Sequence, residues 1–86
     1  MTQETVQKVR IRNAAGLHAR PCHQIVTTAR QFESDLFVST DGSEVNGKSI
    51  LELMTLCAPC ESWISFRARG ADSDVLVARL AALVEA

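Results

Sequence analysis

The sequence predicts an α+β fold in the order βαββαβα, with an antiparallel sheet of four strands covered on one side by three helices. Three observations predict it. Segments 5–12, 35–40 and 62–69 alternate apolar and polar side chains with a period of two, as half-buried strands do. Asp41-Gly42 follows the second of these and turns the chain back as a hairpin into a short strand at 43–45. Elsewhere apolar residues recur at i, i+3, i+4 and i+7, the stripe of a helix with one buried face. Strands that are dry on one face and wet on the other imply an antiparallel sheet with its helices on the dry side.

In the first strand Gln7, Val9 and Ile11 point one way and Lys8, Arg10 and Arg12 the other. A loop at 13–17 leads into a helix expected from His18 to about Gln31, with Cys22, Ile25, Val26 and Ala29 as its stripe. Pro21 is tolerated there because a first-turn N–H has no intrahelical acceptor to lose. In the second strand Leu36 and Val38 face one side, Phe37 and Ser39 the other. After a turn at 46–48, Ser49 and Glu52 fit a capping box. The helix they open carries Ile50, Leu53, Met54 and Cys57 at helical spacing and is expected to end near Cys57, ahead of Pro59. The last strand sets Ile64, Phe66 and Ala68 against Trp63, Ser65 and Arg67. Gly70-Ala71 turns the chain, Asp72 caps a third helix, and Leu76, Leu80, Leu83 and Val84 form its inner stripe. Periodicity leaves the order of the strands open.

Composition sets the bounds. The chain has 86 residues, 47% of them hydrophobic, which suits one domain over residues 1–86 with a modest core. Net charge is −1 and aromatic residues are few, so no basic stripe invites nucleic acid. No apolar run approaches the roughly 20 residues that span a bilayer, so no membrane insertion is expected. Residues 1–8 carry no apolar signal core, and three cysteines is an odd count for a disulfide framework. Both features point to the reducing cytoplasm.

Chemistry concentrates at Gly16-Leu17-His18-Ala19-Arg20-Pro21. Gly16 supplies a flexible entry, and His18 stands where a helix is about to begin. The N–H groups of a helix N-terminus attract anions, and Arg20 adds a fixed positive charge. The same partial positive charge disfavours imidazolium by about 0.3–1 kcal/mol, which keeps a nucleophilic ring nitrogen available near neutral pH. A histidine so placed can take up a phosphoryl group and release it again. Without Arg20 and Pro21 in place, a surface histidine ahead of a helix would be the plainer reading.

Two segments together resemble a known family. Gly16–Pro21 (GLHARP) and Val45–Ser49 (VNGKS) are similar to the two signature regions of the HPr phosphocarrier proteins of the bacterial phosphotransferase system. Gly70–Asp74 (GADSD) looks like that family's last turn, and the strand–helix order agrees over nearly the whole chain. The resemblance implies an open-faced β-sandwich, with three helices over a four-stranded antiparallel sheet. It implies that His18 is the phosphorylated histidine, through Nδ1, that Arg20 orients the phosphate, and that Ser49 matches a serine phosphorylated in some lineages by a dedicated HPr kinase/phosphorylase. It implies enzyme I as the donor, passing on the phosphoryl group of phosphoenolpyruvate, and the IIA components of sugar permeases as acceptors. A carrier of this kind is a substrate of other enzymes, with no turnover, cofactor or metal of its own, and a monomer is expected.

Other residues fit this reading or stand apart from it. Ser49 is an N-cap whether or not it is modified. Ile50 and Met54 are expected largely in the core and Leu51 outside it, and the three form the expected docking patch for partners. Cys57 and Cys60 form a C-x-x-C that follows a helix, where the dipole works against a thiolate, so redox chemistry is disfavoured. Zinc needs about four ligands, and only Cys22, His18 and His23 could complete the set. Inert thiols are expected, with Cys22 in the core and His23 facing solvent. The alternative function is an HPr-like regulatory module that controls transcription or metabolism rather than sugar transport.

Overall fold

A computed structural model of the chain describes residues 3–12, 19–56 and 59–85. The elements are β1 (Glu4–Arg10), α1 (Ala19–Ala29), β2 (Asp35–Thr40), β3 (Ser43–Asn46), α2 (Ile50–Met54), β4 (Trp63–Arg69) and α3 (Ser73–Glu85). The four strands form one sheet in the order β1-β4-β2-β3, with every neighbouring pair antiparallel. This is the open-faced sandwich expected from the sequence, and the structure supplies the strand order.

The core lies between the sheet and its helices, where the alternation predicts it. Val9, Leu36, Val38, Ile64, Phe66 and Ala68 point inward from the strands and are buried. Cys22, Ile25, Val26 and Ala29 meet them from α1, and Leu76, Val77, Leu80, Ala81 and Val84 from α3. The stripe of α3 is therefore wider than the expected one: Val77 and Ala81 join it, while Leu83 is only half-buried. Ile11, just past β1, is buried, and its backbone extends the ladder by bonding Ser62 and Glu61 at 2.9 and 2.8 Å. Gln7, placed on the inner side by alternation, is exposed on the edge strand.

The β2–β3 connection is the tight turn that Asp41-Gly42 calls for, with φ of 50° and 83°. Positive φ at both central residues matches the right-handed twist of the flanking strands. The sheet's open face is held by charge. Arg67 pairs with Glu44 at 2.9 Å and Glu4 at 3.2 Å, and its guanidinium lies 4.3 Å from the centre of the Phe37 ring. Those contacts hold the Glu44 carboxyl below its usual range. At the other end, Arg10 binds the Glu61 carboxylate at 3.0 Å and lies 5.7 Å from the Trp63 ring centre. Glu61 takes a φ of 70°, uncommon for a residue with a Cβ, and its backbone oxygen also accepts from Arg10.

Two helix boundaries differ from the sequence expectation. Helix α1 ends at Ala29 rather than near Gln31. Helix α2 is short: at Thr55 the N–H and the hydroxyl both donate to the Glu52 carbonyl, and the Leu56 N–H takes the Leu53 carbonyl at 3.1 Å. These i→i−3 bonds satisfy two last-turn carbonyls and close the helix before Cys57, which lies outside the described residues. Asp72 does stand at the entry of α3, where its carbonyl accepts from Leu76 at 3.0 Å. Its carboxylate, however, crosses to the turn before β2 and takes the N–H groups of Glu33 and Ser34, each at 3.0 Å, and the Ser34 hydroxyl.

Candidate functional site

His18 and Gly16 lie outside the described residues, so their geometry forms no part of the site below. The described site starts one residue later. Helix α1 begins at Ala19, directly after His18 in the chain, and its first turn holds no acidic side chain. The partial positive charge of that helix end is thus not offset by an anion of its own turn. Arg20 is exposed in this turn, Pro21 is half-buried, and Cys22 is buried on the inner face. The alternation of Arg20 out and Cys22 in follows from the stripe that roots α1 in the core. His23 is exposed, one step off that stripe, as expected.

The second part of the site is the entry to α2, which packs against α1. Ser49 is its N-cap, with φ −117° and ψ 113°, and its Oγ accepts from the Glu52 N–H at 3.3 Å. The reciprocal arm of the capping box is displaced by one turn of loop: Glu52 Oε1 accepts from the Asn46 N–H at 3.1 Å. Asn46 is the hub of this turn. Its side-chain oxygen accepts from the Lys48 N–H at 2.9 Å, and its carbonyl from the Ser49 N–H at 3.2 Å. Two cations bind this turn to the end of α1. Arg30 donates to the Lys48 carbonyl at 3.2 Å, and the Lys48 ammonium donates to the Phe32 carbonyl at 2.9 Å. Neither role was legible in the sequence, because both side chains act on backbone carbonyls and break no pattern.

The expected docking patch divides. Leu53 is the residue that roots α2 in the core, and Ile50 is half-buried against it. Leu51 is 78% exposed and Met54 43% exposed. Met54 is therefore a surface residue, not the core residue its spacing suggests. A helix this short buries one main position, and Leu53 takes it. The outcome is an exposed apolar pair, Leu51 and Met54, on a helix whose cap is Ser49.

Two of the three cysteines lie among the described residues. Cys22 is buried among aliphatic side chains. The Cys60 thiol donates weakly to two oxygens, the Arg12 carbonyl at 4.0 Å and Glu61 Oε1 at 3.8 Å. Among the described residues no three His, Cys, Asp or Glu side chains are grouped as a metal site would need. Among the same residues no helix is long and apolar enough to cross a membrane.

A one-sided antiparallel sheet, with a carrier-type histidine motif leading into its first helix, defines the class: a small open-faced-sandwich phosphocarrier. Comparison with known proteins narrows it. A family model described as the PTS HPr component phosphorylation site matches residues 5–86. The chain is 40% identical over 79 residues to the HPr-like protein Crh of Bacillus subtilis, covering 92% of this chain and 93% of that one. It is 44% identical over 66 residues to the phosphocarrier protein HPr of Neisseria meningitidis, covering 77% of this chain and 74% of the other. A crystal structure of phosphocarrier protein HPr from Bacillus anthracis matches with a TM-score of 0.89 at 34% identity, covering 94% of this chain and 96% of that one. The chain belongs to the HPr family.

Proposed function

We propose that this chain is a single-domain cytoplasmic phosphocarrier that takes a phosphoryl group from enzyme I on His18 and passes it to IIA components of sugar permeases. The observation that carries the reading is the match of Gly16–Pro21 to the family motif, ahead of a helix whose first turn presents Arg20 and no acid. A nitrogen of the neutral His18 ring attacks phosphorus of the phosphorylated donor, and the donor's nitrogen leaves. The reverse geometry delivers the group to the acceptor. The α1 dipole and Arg20 stabilise the phosphate without enclosing it, which suits a group that must leave again. The chain turns over nothing by itself. Its partners dock on the apolar residues Ile50, Leu51 and Met54, and phosphorylation of Ser49 by an HPr kinase/phosphorylase, where the cell has one, sets an anion beside that patch.

A second reading is a regulatory module in the manner of an HPr-like protein, with control of transcription or metabolism in place of sugar transport. The likeness to Crh over nearly the full length of both chains favours it. A crystal structure of Crh from Bacillus subtilis is described as a domain-swapping dimer, whereas we propose a monomer for this chain.

The test is incubation with enzyme I and labelled phosphoenolpyruvate, followed by acid. The expected result is one label per chain that is lost in acid, as phosphohistidine is, and no label in His18→Ala. A labelled His18→Ala chain overturns the assignment. Transfer of the label to a IIA component selects transport. A stable phosphorylated chain that no IIA component discharges selects the regulatory module.

A further inference from the structure

The geometry points to Arg30 as the intrachain partner of a phosphoryl group carried on Ser49. This rests on the reading of Ser49 as a modified residue and adds what receives the phosphate within the protein. Arg30 Nη2 lies 3.2 Å from the Lys48 carbonyl oxygen, and that carbonyl belongs to the peptide bond leading into Ser49. The guanidinium is therefore hydrogen-bonded to the peptide unit that leads into Ser49. The carbonyl occupies one of five donors on a planar fork, and the fork geometry suits phosphate oxygens. Arg30 is exposed and Ser49 only half-buried, so the exchange of a neutral carbonyl for a dianion requires no burial of charge.

Among the described residues, Arg30 and Lys48 are the cations hydrogen-bonded within this turn. The Lys48 ammonium donates to the Phe32 carbonyl at 2.9 Å, whereas Arg30 bonds the carbonyl of the Lys48–Ser49 peptide itself. Glu52 Oε1 is engaged by the Asn46 N–H at 3.1 Å and sets an acid, not a base, on the α2 side of Ser49. Arg79 of α3 lies over the Phe32 ring, 5.2 Å from its centre. A phosphate on Ser49 thus meets repulsion from Glu52 and attraction from Arg30. The pair becomes a strut between the end of α1 and the start of α2. A partner that reads the modified state meets a phosphate–guanidinium pair rather than a freely swinging dianion.

The experiment encodes phosphoserine at position 49 in the full chain, so that no kinase is needed, and titrates the phosphate by phosphorus NMR. The second ionisation is expected roughly 0.2–0.7 unit below that of the same chain unfolded in urea, the range of an exposed ion pair. Arg30→Gln is expected to abolish most of that difference, whereas Arg79→Gln leaves it in place. An Arg30→Gln chain with the parent's ionisation overturns the proposal, as does an Arg79→Gln chain that loses as much, since the field would then be diffuse. A kinase that fails to modify Ser49 sinks the regulatory reading of that serine but leaves this result standing.

Discussion

Asp72 and Ser34 are joined twice: the Asp72 carboxylate accepts the Ser34 backbone N–H at 3.0 Å and also the Ser34 hydroxyl. A third donor, the Glu33 N–H, arrives at 3.0 Å on the other oxygen. Both Ser34 and Ser73, next to Asp72, are buried, and Ser73 bonds Thr5 of β1 at 2.9 Å. The entry of α3 is thereby fastened to the turn before β2 and to the edge strand.

This clamp predicts a pH dependence. Hydrogen bonding from Ser34 and Glu33 holds the Asp72 carboxyl below its ordinary value of 3.8. A carboxyl depressed in the folded chain contributes stability that is present above its unfolded pKa and is lost as pH falls through its folded pKa. The contribution is therefore full at neutral pH and fades below about pH 4. Asp72→Asn turns one acceptor into a donor facing an N–H group, so the variant is expected to melt lower at pH 7. The gap between parent and variant melting midpoints should close as the pH is taken from 5 to 2. A gap that stays constant with pH would show that the charge of Asp72 is irrelevant.

The same corner predicts the cost of filling Gly70. Its φ is 151°, and a Cβ built there would sit 2.8 Å from the Ser34 Cα, against backbone that has no room to move. Gly70→Ala therefore combines a strained φ with overpacking, and is expected to destabilise by about 1–3 kcal/mol. Urea denaturation monitored through Trp63 measures this directly. Gly42→Ala is the informative comparison, since its φ is 83° but nothing lies within 4 Å of the added Cβ. It should cost less, by the overpacking part alone.

What the sequence made legible, it did through repetition. Three strands and the helices were readable because burial imposes a period, β3 followed from the Asp41-Gly42 turn, and the inward residues of β2 and β4 were readable one by one. The motif at Gly16–Pro21 was readable because its residue types are chemically unusual in combination. Non-repeating features were not. The crossing of Asp72 to Ser34 looks in sequence like any aspartate at a helix start, and the exposure of Met54 depends on Thr55 ending α2 a turn early. Arg30 reads as a solvated charge until the fold brings Lys48 to it. For Asp72 and Arg30 the deciding contact joins residues distant along the chain, and local spacing carries no record of it; for Met54 it is a local bond from Thr55 to Glu52 that no periodic pattern marks.

Helix α2 offers a separation of stability from docking. Leu53 is 0% exposed and anchors the helix, so Leu53→Ala is expected to cost about 2–5 kcal/mol. Leu51, at 78% exposed, has little to lose, and Leu51→Ala should change stability by no more than about 0.5 kcal/mol. If Leu51 is a docking residue, the same variant weakens binding to enzyme I severalfold in a calorimetric titration. Parent affinity in Leu51→Ala would remove it from the contact surface.

Ser49→Asp probes the same surface by charge. Aspartate caps a helix about as well as serine, because its side-chain oxygen can accept the N–H that Glu52 now gives to Ser49 Oγ at 3.3 Å. The fold should therefore survive, with a melting free energy within about 0.5 kcal/mol of the parent. The new carboxylate stands directly before Ile50 and Leu51, on the face proposed to meet enzyme I. A partner surface complementary to apolar side chains must then desolvate a charge, and affinity is expected to fall while phosphorylation of His18, once bound, proceeds. Initial rates against enzyme I concentration separate the two: a raised half-saturation point with an unchanged plateau supports the docking role. A lowered plateau alone would mean that position 49 acts on the transfer step itself.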